Sequence, residues 1–237
     1  MTQPSDVVAA ATARTGRVAL VTGGESGLGA VVVRALAAAG HAVAIHAHAA
    51  LDQARAIADL LVAAGVPSLA VTADLRDEGP LRTIVHRVAD HFGRLDAVVA
   101  CAAVAHPCRL EDLTAADLRT HLDVNCVAAF VVAQEAAATM AGQERGGGIV
   151  LVGDEAADPP PDRLAEAVSR AAIPALTRCL ARECAARHPR VRVNCVIPGS
   201  PVVDDAARGR VARAVLHLLE DDGASGVCLP VDAAERA

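Results

Sequence analysis

Short apolar runs alternate with longer helical stretches from residue 17 almost to the carboxyl end of the chain. Arg17–Thr22 is an apolar run ending in glycines and predicts a buried strand, and Gly27–Ala39 predicts a helix closed by Gly40. The alternation continues with a strand over Ala42–His46, a helix over Asp52–Ala64 stopped by Gly65, and a strand over Ser68–Thr72. Leu81–His91 follows as a helix, Leu95–Cys101 as a strand, and Ala115–Met140 as a long apolar helix with Thr114 as its cap. Strand Gly148–Val152, helix Asp162–Arg187, strand Val191–Val196, helix Ala206–Glu220 and a short strand over Gly226–Pro230 complete the series. Strands that are apolar throughout and separated by helices must be covered on both faces. The pattern therefore predicts an α/β fold, a single-domain Rossmann-type doubly wound parallel sheet of about seven strands. Residues 1–16, rich in Ala and Thr and without a clear period, read as a flexible N-terminal arm, with residues 17–237 forming the domain.

Composition narrows the partners. A chain of 237 residues with 53% hydrophobic content can bury one large core. A net charge of −6 disfavours nucleic acid and anionic lipid, which require a basic face, so the expected partner is a small-molecule substrate. The first fifteen residues lack the apolar run of a signal peptide and the longest apolar stretches fall short of a bilayer span, so no membrane and a cytoplasmic location are expected. Seven Cys without a Cys-x-x-Cys pair read as small buried hydrophobes in a reducing compartment. His41, His46 and His48 have a spacing seen in metal sites, but without an acidic partner they read as a strand face, and no metal is expected.

The segment Thr22-Gly23-Gly24-Glu25-Ser26-Gly27-Leu28-Gly29 stands between a predicted strand and a predicted helix. Glycines there let the backbone approach a pyrophosphate, which the helix N-terminus then attracts through its free N–H groups and dipole. Glu25 opposes this, because a carboxylate within such a loop repels phosphate unless it points away. The following strand ends His46-Ala47-His48 and offers no acid for a ribose 2′-hydroxyl, which weighs against NAD(H) and leaves NADP(H), or no cofactor at all, as the alternatives.

Over almost its whole length, from about Arg17 to Asp232, the chain resembles the short-chain dehydrogenase/reductase family. Thr22–Gly29 is similar to that family's Thr-Gly-x-x-x-Gly-x-Gly loop, and Ala73-Asp74-Leu75 to its adenine-contacting segment. Asn125 in Asp123-Val124-Asn125 matches the family's structural Asn, and Val191-Arg192-Val193-Asn194 with Pro198-Gly199 matches the segment closing over the nicotinamide. The resemblance thus implies cofactor contacts from Thr22, Gly23, Gly27, Leu28, Gly29, His46, Asp74, Leu75, Ala102, Pro198 and Gly199. Ala115–Met140 is apolar around most of its circumference, more than one sheet face needs to cover, which predicts a homo-oligomer, dimer or tetramer, joined through the two long helices and the C-terminal strand.

The departures fall where the family does its chemistry. Relatives carry Asn-Asn-Ala-Gly where this chain has Ala100-Cys101-Ala102-Ala103, and position 154 is Asp where a catalytic Ser is usual. Aligning Ser169-Arg170-Ala171-Ala172 on the family's Ser-Lys-Ala-Ala puts Arg170 at the Lys position and Glu166 at the Tyr position. No substitute exists elsewhere, because the chain contains no Tyr and all 22 of its basic residues are Arg. The segment after Pro198-Gly199 is short, and the usual Asp-Gly-Gly ending is here Asp232-Ala233-Ala234.

Asn125, Asp154, Glu166 and Arg170 are therefore the candidate catalytic set. Two neighbouring carboxylates tend to share a proton, and such a pair can run isomerisation, elimination, cyclisation or an NADP-linked reduction on a small metabolite. Arg170 can hold an anionic group but cannot act as a base. Glu166 and Arg170 at i, i+4 equally suit an ordinary helix salt bridge. Cys101, at the end of its strand, has no adjacent base and reads as packing. Three readings stay open: an enzyme with a rebuilt site, a non-catalytic scaffold pairing with itself or with an intact relative, and an ordinary NAD(P)-dependent reductase.

Overall fold

In the computed structural model, which describes residues 16–154, 159–199 and 204–231, seven strands form one sheet. They are β1 Arg17–Thr22, β2 His41–Ala47, β3 Ser68–Thr72, β4 Ala97–Ala100, β5 Gly147–Val152, β6 Val191–Pro198 and β7 Cys228–Val231. The order is β3-β2-β1-β4-β5-β6-β7 with every neighbouring pair parallel, so the winding reverses between β1 and β4. Open α/β sheets bind ligands at such a switch point, beyond the carboxyl ends of the strands. Most of the expected N-terminal arm, part of the segment after Gly199 and the Asp232-Ala233-Ala234 ending lie outside the described residues.

The pleat divides the core in two. Val18 and Leu20 of β1 face one layer, packed with helices α3 (Glu78–Phe92), α5 (Ala128–Ala141) and α6 (Leu164–Arg187). Ala19 and Val21 face the other, packed with α1 (Gly27–Ala38), α2 (Leu51–Ala63) and α7 (Asp205–Glu220). Each fully buried Leu, Ile or Val contributes about 1.5–3 kcal/mol relative to exposure. That is why strands apolar on both faces require helices on both sides.

Of the boundaries that depart from the periodicity, three have a clear local cause. The helix expected from Asp162 begins at Leu164, because Asp162 adopts a left-handed φ of 64° that ends the preceding loop. β4 is shorter than Leu95–Cys101. Before it, the Asp96 carboxylate accepts the Val18 N–H (2.7 Å) and is engaged by the Arg94 guanidinium. The long apolar helix runs from Ala115 as expected, but α4 (Ala115–Leu122) and α5 are joined by a π-helical turn over Asp123–Val127. The 27-residue run Ala115–Ala141 is long and apolar enough to cross a membrane, which corrects the expectation that no stretch reaches that length. Half of its most apolar window is buried inside the domain, as suits a helix covering a sheet.

Candidate functional site

The glycine loop leaves β1 at the switch point. Gly23 takes a left-handed φ of 64° and lies so close to the end of β4 that a Cβ there would sit 2.8 Å from the Ala102 Cα. A Cβ on Gly29 would overlap the Gly23 carbonyl oxygen, so these two glycines close the loop on itself. Gly27, at φ 52°, has open space where its side chain would be, and Ser26 leaves the first turn of α1 without a side-chain cap. An open glycine beside an uncapped helix N-terminus is the arrangement a pyrophosphate needs. Thr22 Oγ1 accepts the Ala102 N–H (3.3 Å) and ties the loop to β4. One oxygen of Glu25 is buried within this loop without a hydrogen-bond partner among the described residues.

Several expected cofactor contacts turn inward. His46 is 1% exposed, and its Nδ1 accepts the Gly23 N–H (3.4 Å) while Nε2 meets the Ala73 carbonyl (3.2 Å). His46, expected as a cofactor contact, shapes the glycine loop from beneath. Burial holds its imidazole below the ordinary value. His41 stands at the opposite end of β2, so the histidines of this strand do not converge on a metal. Leu28 packs at the margin of the core, Leu75 is buried, and Pro198 ends β6 with Gly199 donating its N–H to Val231 O (2.7 Å). Asp74 remains at the surface, but Arg76 engages both its oxygens (2.7 and 3.1 Å) and His48 lies 3.6 Å away. Hydrogen bonds from Arg76 hold the Asp74 carboxyl well below the usual carboxylate range.

The four candidate catalytic residues belong to one connected network on α6 and the strand ends. Asn125, on the π-helical turn, accepts the Val104 N–H (2.7 Å) and donates from Nδ2 to Val104 O (3.0 Å) and to Ser169 Oγ (2.9 Å). Ser169 in turn donates to the Glu166 carbonyl (2.9 Å). Arg170 Nη2 donates to Gly153 O at the end of β5 (3.1 Å), and the Asp154 N–H reaches the Arg170 carbonyl (3.4 Å). The Glu166 carboxylate is mostly buried, with Oε2 2.7 Å from Arg163 and Oε1 3.5 Å from Arg170. These contacts build an Arg163–Glu166–Arg170 triad. Nε of Arg170 is buried without a hydrogen-bond partner among the described residues. Beside this guanidinium, burial pushes the Cys101 thiol up to about 12, which removes it as a nucleophile.

Comparison with known proteins settles the kinship. The sequence profile of the short chain dehydrogenases matches residues 17–209. The chain belongs to the short-chain dehydrogenase family. It is 32% identical to an uncharacterised oxidoreductase of Methylorubrum extorquens over 83% of this chain and 78% of that one. It is 30% identical to versicolorin reductase 1 of Aspergillus parasiticus over 80% of this chain and 71% of the relative. Among solved structures, a short chain dehydrogenase from Burkholderia cenocepacia in complex with NADP superposes with a TM-score of 0.83 at 32% identity, covering 94% of this chain and 98% of that one.

Within this family of oxidoreductases, residues unmarked by the sequence reading shape the site. Arg163 was legible as an i, i+3 partner of Glu166, and Ser169 stood in the quoted Ser-Arg-Ala-Ala segment. Arg76, which engages Asp74, stands two residues beyond it in the chain. What no spacing rule showed is that Arg163 approaches Glu166 more closely than Arg170 does.

Proposed function

We propose that this short-chain dehydrogenase binds NADP(H) in preference to NAD(H), and that it has left ordinary carbonyl reduction for proton chemistry at Glu166 on a small metabolite. The observation that carries the reading is the Arg163–Glu166–Arg170 triad at the Tyr and Lys positions, in a chain without Tyr or Lys. The triad presents no phenol to donate a proton and no ammonium to grip a ribose. A carboxylate between two guanidiniums can take a proton from a carbon beside a carbonyl and return it to a neighbouring atom, as in isomerisation or elimination. Arg170 then stands where negative charge on the substrate oxygen would develop.

NADP(H) fits the residues present. Gly27 and the uncapped first turn of α1 would hold the pyrophosphate, and beyond the end of β2 the exposed residue is His48 rather than an acid that would meet the ribose. When bound, the cofactor supplies a hydride donor or acceptor. The NADP complex of the Burkholderia cenocepacia relative supports this choice. A second reading, a partner subunit without chemistry of its own, is favoured by the engagement of both Glu166 oxygens.

The test has two arms. NADPH fluorescence titration should show saturable binding tighter than that of NADH, while NADPH oxidation with simple ketones stays at background. Deuterium exchange beside the carbonyl of a ketone panel, followed by NMR, should be catalysed by the wild type and lost in Glu166→Gln. Brisk NADPH oxidation by simple ketones overturns the reading, and cofactor binding without any exchange transfers support to the partner-subunit reading.

A further inference from the structure

The amino ends of the strands carry a second concave site that the dinucleotide reading does not use. A cavity of about 490 Å³ opens there, lined among others by Arg17, His41, Asp96, Arg145, Arg190 and Arg192. From Arg17 to Thr22 along β1 is roughly 16 Å, so this cavity lies at the far end of the sheet from the glycine loop.

Part of its charge has an internal purpose. The carbonyl ends of α5 and α7 point to this edge, and such ends attract cations. Arg192 donates to Leu218 O (2.9 Å) and Leu219 O (2.8 Å) at the end of α7, and Arg190 donates to Glu144 O just beyond α5 (2.6 Å). Asp96 is already engaged by Arg94 and the Val18 N–H. Arg17 and Arg145 are different, since both are exposed and neither guanidinium has a hydrogen bond or ion pair among the described residues. The field of Arg17 acts unfavourably on the cationic forms of His41 and Arg192. His41 is 4% exposed and its buried Nδ1 has no hydrogen-bond partner among the described residues. A concave surface therefore gathers more cations than its own carbonyls and carboxylates engage.

We propose that this cavity binds a small phosphate-bearing metabolite, gripped by Arg17, Arg145 and Arg190 and independent of the dinucleotide cradle. Guanidinium forks match the oxygens of a phosphate, and guanidiniums on different walls can meet a tetrahedral group from several sides. The N–H groups of Gly146, Gly147 and Gly148 are already bonded to Gln143 O, Arg190 O and Asp96 O, so side chains rather than backbone would hold the anion. The volume leaves room for an organic portion beside the phosphate.

Inorganic pyrophosphate is the probe, titrated calorimetrically into the full-length protein at fixed ionic strength with saturating NADPH present. Binding is expected in the micromolar range and should weaken at least tenfold in Arg17→Gln/Arg145→Gln. Arg55→Gln, an exposed control on α2, should bind as the wild type does. Since neither mutated guanidinium has an internal partner, the double variant should keep the wild-type melting temperature. If it does not, Arg145→Gln alone should still weaken binding about threefold. No heat up to millimolar pyrophosphate, or an affinity unchanged by the arginine substitutions, overturns the proposal. Should NADPH itself fail to bind, the dependence on Arg17 and Arg145 still separates this cavity from the glycine loop.

Discussion

His46 links the cofactor loop to pH through a single buried ring. Its Nδ1 accepts the Gly23 N–H, so a proton on that nitrogen would set two donors against each other. Burial lowers its pKa, and the same direction holds for His41. An unfolded histidine takes up its proton near its ordinary value of about 6.5, whereas the folded rings resist until lower pH. Stability is therefore complete above about pH 6.5 and declines as pH falls below it, by up to about 1.4 kcal/mol per pH unit for each proton. Thermal melts between pH 7.5 and 5.5 should show this decline, with NADPH affinity falling in parallel and the slope reduced in His46→Gln. A melting temperature flat across that range contradicts the account. Glu25 is the second residue with a local consequence. Its partnerless oxygen lies within the loop proposed to hold the pyrophosphate. Glu25→Ala should tighten NADPH by roughly fivefold, about 1 kcal/mol of relieved repulsion. Weaker binding in that variant would show instead that Glu25 supports the loop.

At the scale of elements, the π-helical turn over Asp123–Val127 decides how the site is assembled. An uninterrupted α-helix would pass the sheet edge without a special contact. The widened turn carries Asn125, which takes both backbone groups of Val104 and reaches Ser169 on α6. Asn125 thereby fastens the segment after β4 to the helix that bears Glu166 and Arg170. Truncation would leave the partly buried Val104 N–H and carbonyl unpaired, each costing about 1–3 kcal/mol. Asn125→Ala should therefore lose about 2–4 kcal/mol in urea denaturation. A loss below about 0.5 kcal/mol would mean that the clamp is not needed.

At the scale of the molecule, α6 and the π-helical turn leave apolar side chains uncovered. Val127, Leu164 and Val168 are 48%, 44% and 49% exposed, and Leu164 and Val168 share one helix face at i, i+4. Exposed apolar side chains gathered on neighbouring elements suit a partner surface. We propose that a second copy of the chain packs on them, giving a dimer at micromolar concentration. Sedimentation velocity should detect it, and Val168→Arg should weaken it at least tenfold by placing a charge in the contact. A wild-type monomer across the micromolar range rules the dimer out.

Much of this architecture was legible in the chain alone, because strand and helix periods follow from local geometry and from which side chains avoid water. The run Arg17–Thr22, the glycines after it and the helix closed by Gly40 specify their own conformations, and repetition of that unit implies a parallel sheet covered on both sides. The absence of Tyr and Lys was equally plain, since composition needs no structure. The site was legible only as positions. Glu166 and Arg170 at i, i+4 announced an ion pair, but the closer approach of Arg163 depends on where the loop ending at Asp162 turns into α6. The π-helical turn left no mark in the apolar pattern of Ala115–Met140, and the backbone groups its Asn125 engages, on Val104, lie twenty-one residues earlier in the chain. His46 read as a cofactor contact or part of a strand face until the neighbouring strand brought the Ala73 carbonyl against its ring. Sequence thus determined the elements, whose energetics are local. Tertiary structure decided the partners of the charged and polar groups, whose energetics depend on neighbours brought together from distant parts of the chain.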